Sequence, residues 1–209
     1  MERYYAVQNR GIWEQVIDKS RFIGIIYPVT NLVEIEQARQ DVRLIYPGAR
    51  HYVYAYRLTE GSIEKSSDDG EPQGTGGRPV LEVLQHREVW DVLLVMVRYF
   101  GGILLGTGGL IRAYGGTAKQ LLDNVNLILL IPYVRYRLKI PYSWYEKIKY
   151  HLQFHPLFIT SESFREYVEA ELSVPETEGN QFSSWLEEFT AGQVSGTVEG
   201  VVWQADPEQ

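Results

Sequence analysis

Val92-Leu93-Leu94-Val95-Met96-Val97-Arg98-Tyr99-Phe100, followed at once by Gly101-Gly102-Ile103-Leu104-Leu105-Gly106-Thr107-Gly108-Gly109, is the stretch on which the fold turns. A nearly unbroken apolar run of this length predicts a central strand buried on both faces. The glycine-rich segment predicts a loop, and Leu110 to Asn124 predicts a helix behind it. Upstream, His51 to Leu58 alternates strictly and predicts a second strand. Residues 3–9, 12–18 and 22–29 predict three short strands in a meander. Asn31 is a suitable N-cap for a helix from Leu32 to Tyr46, and Pro47-Gly48 stops it. Residues 59–78 have no apolar period and predict a long polar loop, after which Pro79 to Arg87 predicts a short helix. Strands gathered before helices in this way indicate an α+β fold.

Downstream, Pro132 marks a boundary, giving an N-terminal domain at 1–131 and a C-terminal domain at 132–209. Strand 134–140, helix 142–153, strands 157–165 and 167–174, helix 178–190 and strand 194–203 form a βαββαβ order. That order is the ferredoxin-like pattern.

The chain has 209 residues and no cysteine, which excludes disulfides, thiolate nucleophiles and Cys-type zinc sites. The net charge of −7 argues against a general nucleic-acid sponge. It is unevenly placed: residues 1–132 carry 14 Lys+Arg against 15 Asp+Glu, a net of −1, and residues 133–209 carry 6 against 12, a net of −6. Attraction to phosphate therefore has to come from a local patch in the first part. Met1-Glu2-Arg3-Tyr4-Tyr5 lacks a basic region followed by an apolar one, and the longest apolar runs fall far short of a membrane span. A cytoplasmic protein that makes no membrane contact is expected.

Two constellations carry potential chemistry. In Ser67-Asp68-Asp69-Gly70-Glu71-Pro72-Gln73-Gly74-Thr75-Gly76-Gly77-Arg78-Pro79, three carboxylates fall within four positions. They suit a hard cation or a shared proton, and the glycines suit presentation of backbone N–H groups to an anion. The alternative is a solvated turn whose aspartates bond nearby backbone. His51 with Asp68 or Asp69 would form a base and its orienting partner, or else is a hydrogen-bonded structural histidine. The second constellation is the 98–112 segment, where a glycine loop between a buried strand and a helix favours an anion. Gly101 and Gly106 have the outer spacing of a P-loop, but Thr107 stands where the lysine belongs, so the motif fails. Gly-Thr-Gly-Gly occurs twice, at 74–77 and 106–109, and reads as coincidence. Arg21, Arg57, Arg78, Arg98, Arg112 and Lys119 converging on one face, with Tyr99, Phe100 and Tyr114 as stacking platforms, would make a single-strand binding surface. Alternatively Arg98 and Arg112 pair with Asp68, Asp69 or Glu71 and hold the loops together.

Ser67-Asp68-Asp69-Gly70-Glu71-Pro72 through Gly77-Arg78-Pro79, and Arg98-Tyr99-Phe100-Gly101-Gly102 through Arg112-Ala113-Tyr114, resemble the signature of the IMPACT/YigZ family. Lys19-Ser20-Arg21-Phe22-Ile23 and His51 with Tyr54-Ala55-Tyr56 support the resemblance. It implies a two-layer N-terminal domain of the ribosomal-protein/GHMP-kinase type with a left-handed βαβ unit, against the usual right-handed preference. It also implies a ferredoxin-like C-terminal domain similar to the last domain of elongation factor G. The family's recurring positions carry over to His51, Asp68, Asp69, Gly70, Glu71, Gly74, Arg98, Gly101, Gly102, Gly106 and Gly108. Leu104 departs from a position that is commonly lysine, and Gln73 and Gly76 replace serine and alanine. Eukaryotic relatives restrain a starvation-responsive kinase that controls translation initiation. The resemblance therefore implies a translation-linked regulatory or binding protein that uses no cofactor. Its partner is expected to be RNA, the ribosome or a translation-related protein, with anion or nucleic-acid contact at Arg78, Arg98, Gly101, Gly102, Gly106, Thr107, Gly108 and Arg112. The alternative is a hydrolase or metal-dependent enzyme using His51, Asp68, Asp69 and Glu71.

Overall fold

The computed structural model describes residues 3–155 and 157–206; positions 1, 2, 156 and 207–209 of the expected domains lie outside it. Chain contacts divide it into two compact units, residues 4–129 and residues 130–206.

The first unit is built on a five-stranded antiparallel sheet in the order β2 (Gly11–Ile17), β3 (Ser20–Pro28), β6 (Val92–Tyr99), β4 (His51–Leu58), β5 (Ile63–Ser67). The apolar run that opens the sequence is β6. It lies at the centre, and Val92 to Val97 are all buried. Helix α1 (Leu32–Ile45) covers one face, where Ile35, Ala38 and Val42 meet Ile23, Ile25, Tyr54, Tyr56, Leu93, Val95 and Val97. Its start is fixed by Asn31, whose side-chain oxygen accepts from the amides of Val33 and Glu34, both at 3.0 Å. Such a cap contributes about 1 kcal/mol. Helices α2 (Gly77–His86) and α3 (Gly106–Asp123) cover the other face through Val80, Leu84, Leu110, Tyr114, Ala118 and Leu121. The α+β class holds; because α1 buries its own apolar stripe on the far side, the unit has three layers where two were expected.

The sheet order fixes a matter of hand. β6 is antiparallel to both β3 and β4, so β3 and β4 run parallel and are joined by α1. β4 is antiparallel to both β5 and β6, so those two run parallel and are joined by α2. Between the two crossings three things reverse: the direction of travel across the sheet, the direction of the strands, and the face that carries the helix. Three reversals leave the crossings with opposite hand. One of the two βαβ units is therefore left-handed, as the family resemblance implies, although right-handed crossings dominate in proteins.

Two local expectations change. β1 (Tyr4–Val7) leaves the meander: its Tyr5 bridges Val89 in parallel and exchanges hydrogen bonds with Glu88 and Trp90. The long polar loop contains β5, an edge strand with three exposed residues, which explains why it shows no apolar period.

The second unit holds β7 (Leu127–Ile140) from Leu130 onward, α4 (Tyr142–Leu152), β8 (Phe158–Phe164), β9 (Val168–Pro175), α5 (Gly179–Thr190) and β10 (Gly196–Ala205). β1 also pairs with β7, and the pairings among β7, β8, β9 and β10 are antiparallel, in the order β10-β7-β9-β8. Counted within the unit that is strand order 4-1-3-2, the ferredoxin-like arrangement. Tyr145, Ile148, Leu152, Phe182 and Leu186 of the helices pack on Tyr136, Leu138, Ala170 and Leu172 of the sheet. Pro132, expected at a boundary, sits inside β7. Pairing with β9 begins only at Tyr133, so the proline's missing N–H breaks no β9 bond.

Candidate functional site

The site forms where β3, β6 and β4 bring three residues into line. Phe22 and His51 each stand opposite Arg98 in the sheet register, on the face that carries α2 and α3. The loop after β5 drops Glu71 onto Arg98. Glu71 Oε1 accepts from Arg98 Nη1 at 2.6 Å and from the Tyr114 hydroxyl of α3 at 2.7 Å. The Arg98 and Glu71 side chains are only 6% and 3% exposed, so this is a desolvated ion pair joining the two glycine-rich segments. Burial pushes the Tyr114 hydroxyl far up, with the Glu71 charge adding to it, so the phenol stays a donor. Arg98 also lies between the Phe22 and Phe100 rings, its guanidinium carbon 5.5 and 5.7 Å from their centroids, and reaches Ser20 Oγ at 3.4 Å. Ser20 Oγ accepts in turn from the Gly101 amide at 3.2 Å. Gly101 is needed there for a steric reason: a Cβ would sit 2.0 Å from the backbone carbon of Lys19.

The first segment is closed on itself. Asp68 Oδ1 accepts from the amides of Gly76 and Gly77, both at 2.9 Å, and Oδ2 from Gly74 at 2.8 Å. Burial alone would push the Asp68 carboxyl up. The three amides outweigh it and hold the group below the ordinary Asp range. Thr75 and Glu71 amides bond to Pro72 and Asp68 carbonyls. Asp69 accepts from the Tyr52 amide at 2.7 Å and pairs with Arg43 at 3.2 Å. The three carboxylates therefore point to three different sets of partners, and among the described residues no group of three or more His, Asp or Glu is placed to hold a metal ion. The expectation that this segment turns free amides toward an anion fails, because Asp68 has consumed them.

The second segment is open. No side chain caps α3, whose N-cap position is Leu105, and Gly102 and Gly106 take positive φ of 86° and 67° to make the entry. The uncapped start borders a cleft of about 430 Å³, within the usual range for small-ligand sites. Arg50, Glu71 and Arg98 supply its charged lining, His51 a polar edge, Phe100, Leu104, Leu105 and Leu110 its apolar wall, and Gly106 and Thr107 the helix end. His51 stands 3.8 Å from Glu71 through Nε2, and its Nδ1 lies 2.8 Å from the Asp69 carbonyl oxygen.

Of the expected cations only Arg98 lines the cleft. Arg78 pairs with Glu82 on α2, and Arg21 with Glu14. Arg57 is buried against Glu64 and the carbonyls of Leu84 and Val89. Arg112 is exposed on α3, its Nη1 close to the Gly108 position. Tyr114 is fully buried and cannot stack on a base, Tyr99 donates to the Pro47 carbonyl, and Phe100 alone of the three aromatic platforms lines the cleft. Sequence reasoning missed Arg50, whose only signal is its position before His51. It also missed the role of Tyr114, one helical turn and more beyond the glycines.

Residues 18–122 match the family model described as the Impact N-terminal domain, and residues 138–193 match a domain of unknown function, DUF1949. IMPACT family member YvyE of Bacillus subtilis is 38% identical over 194 residues, covering 92% of this chain and 89% of that one. IMPACT family member YigZ of Escherichia coli is 34% identical, covering 85% and 89%. A crystal structure of a hypothetical protein matches with a TM-score of 0.63 at 30% identity, covering 96% of this chain and 98% of that one. No helix among the described residues is long and apolar enough to cross a membrane. Matched by the Impact N-terminal domain and aligned with such relatives along most of its length, the chain belongs to the IMPACT family.

Proposed function

We propose that the protein is a non-catalytic binding member of its family that takes single-stranded RNA, free or displayed on the ribosome, in the cleft beside α3. One observation carries this reading: a cleft with the exposed Arg50, a half-exposed phenylalanine and an uncapped helix start on its walls. Arginine and helix amides suit phosphate, and an aromatic rim suits an unpaired base. The translation-linked setting is what the family resemblance adds. The enzyme reading has less to stand on. Asp68 and Asp69 are spent on backbone and Arg43, and Glu71 is neutralised by Arg98.

The test is fluorescence anisotropy with labelled octanucleotides and with purified ribosomes at about 50 and 200 mM salt, where phosphate contacts lose affinity steeply. Arg50→Ala, an exposed position on the cleft, is expected to weaken binding several-fold at low salt. Absence of binding, or binding indifferent to both salt and the substitution, overturns the reading.

A further inference from the structure

The floor of the cleft presents two hydrogen-bond acceptors with no donor between them. His51 Nδ1 lies 2.8 Å from the Asp69 carbonyl oxygen. A carbonyl only accepts, so in the neutral ring the proton is on Nδ1 and Nε2 carries a bare lone pair. That lone pair faces Glu71 Oε2 at 3.8 Å. Both donors that reach Glu71, from Arg98 and Tyr114, go to Oε1. Among the described residues nothing donates to Oε2, and the two acceptors open into the same cleft. Two acceptors side by side in a cleft, neither reached by a protein donor, suit an N–H-rich group. The charge is already balanced by Arg98, so a neutral donor fits better than an ammonium ion.

We infer that the cleft selects, within single-stranded RNA, a base carrying an exocyclic amino group, whose NH2 bridges His51 Nε2 and Glu71 Oε2 while the ring lies against Phe100 and Leu105. This deepens the RNA reading and rests on it. Cytosine, adenine and guanine bring such a donor. Uracil brings only its N3–H, flanked by two carbonyl oxygens that would face the carboxylate. Arg50 and the start of α3 then meet the phosphates on either side.

Cytidine and uridine oligomers make the cleanest comparison, because the rings are of equal size and differ in donor pattern. Anisotropy titration of the full chain with rC8 and rU8 is expected to show about tenfold tighter binding of rC8, the size of one well-placed hydrogen-bond pair. His51→Asn keeps a donor toward the Asp69 carbonyl and removes the Nε2 acceptor, and it is expected to bind both oligomers alike within about twofold. A second arm needs no variant: rC8 methylated twice at each N4 is expected to fall to the rU8 level on the wild-type protein. If neither oligomer binds, the RNA reading itself fails and this inference goes with it. If both bind equally, or if the cytidine preference survives His51→Asn or N4 dimethylation, the RNA reading stands and the amino-group bridge is overturned.

Discussion

The tetrapeptide Gly-Thr-Gly-Gly stands at the start of two helices, at 74–77 before and within α2 and at 106–109 in the first turn of α3. In the first copy the amides of Gly74, Gly76 and Gly77 are gathered by Asp68, and that of Thr75 by the Pro72 carbonyl. The second copy has no carboxylate upstream, only Ile103-Leu104-Leu105, and no side chain caps it. The same four residues thus build a closed, structural helix start in one place and an open one beside a cleft in the other. What separates them is an acceptor six residues before the first glycine. Glycine content alone does not mark an anion site.

The largest expected effect falls on the bond between the two segments. Arg98→Ala leaves Glu71 buried and uncompensated beside Tyr114, and urea unfolding should show a loss of about 3–5 kcal/mol. A loss near zero would mean that the segments are not tied through this pair, and the contrast of closed and open loops would lose its common hinge.

Asp68→Ala tests the closed copy directly. Removing the acceptor for three amides should cost about 2 kcal/mol, in the upper range for a helix cap. The effect carries a pH signature. The Asp68 carboxyl is held below its ordinary value in the folded protein, so its contribution is present above the unfolded-state pKa and fades as pH falls through the folded one. The stability gap between wild type and Asp68→Ala should therefore be full at pH 7 and narrow progressively in acid, from about pH 4 downward. A gap that widens in acid would show the carboxylate to be strained there.

A matched pair of substitutions compares the copies position for position. At Gly76 an added methyl would meet Val53 Cγ2 at 2.9 Å; at the equivalent Gly108 it would meet only the end of the flexible Arg112 side chain, at 3.4 Å. Gly76→Ala should destabilise by about 1–3 kcal/mol through overpacking. Gly108→Ala should stabilise by about 0.5 kcal/mol, since alanine is the better helix former. Thermal unfolding of both variants reads the signs, and equal signs would remove the contrast.

Much of this was legible in the residues. The β6 run, the alternation of β4 and the βαββαβ order of the second unit follow from apolar period alone, and the long motifs pointed to the family. β5 was hidden because an edge strand with little buried surface has no period to show. β7 was shortened in the reading because Pro132 looks like a breaker, yet the chain stays extended through it. For the site, sequence adjacency misled. Asp68, Asp69 and Glu71 are neighbours in the chain but face apart, while Ser20, His51, Glu71, Arg98 and Tyr114 meet only through sheet register and the placement of α3. No local pattern encodes a meeting of residues up to 94 positions apart.

The smallest expected effect concerns the open copy and its missing charge. Leu104 is 87% exposed on the cleft wall, at the position where the family resemblance implies lysine. Leu104→Lys touches no buried contact, so unfolding should shift by less than about 0.5 kcal/mol. If the uncapped start of α3 receives phosphate, the new cation should tighten octanucleotide binding a few-fold and steepen its log–log salt slope by about 1. Leu104→Asp supplies beside α3 the kind of charge that Asp68 supplies beside α2. It should leave stability equally untouched and weaken RNA binding at low salt. Opposite effects of the two charges on binding, with none on folding, separate an open helix start that serves a ligand from one that is merely uncapped; identical affinities would leave the two copies of the tetrapeptide different in structure and alike in having no ligand.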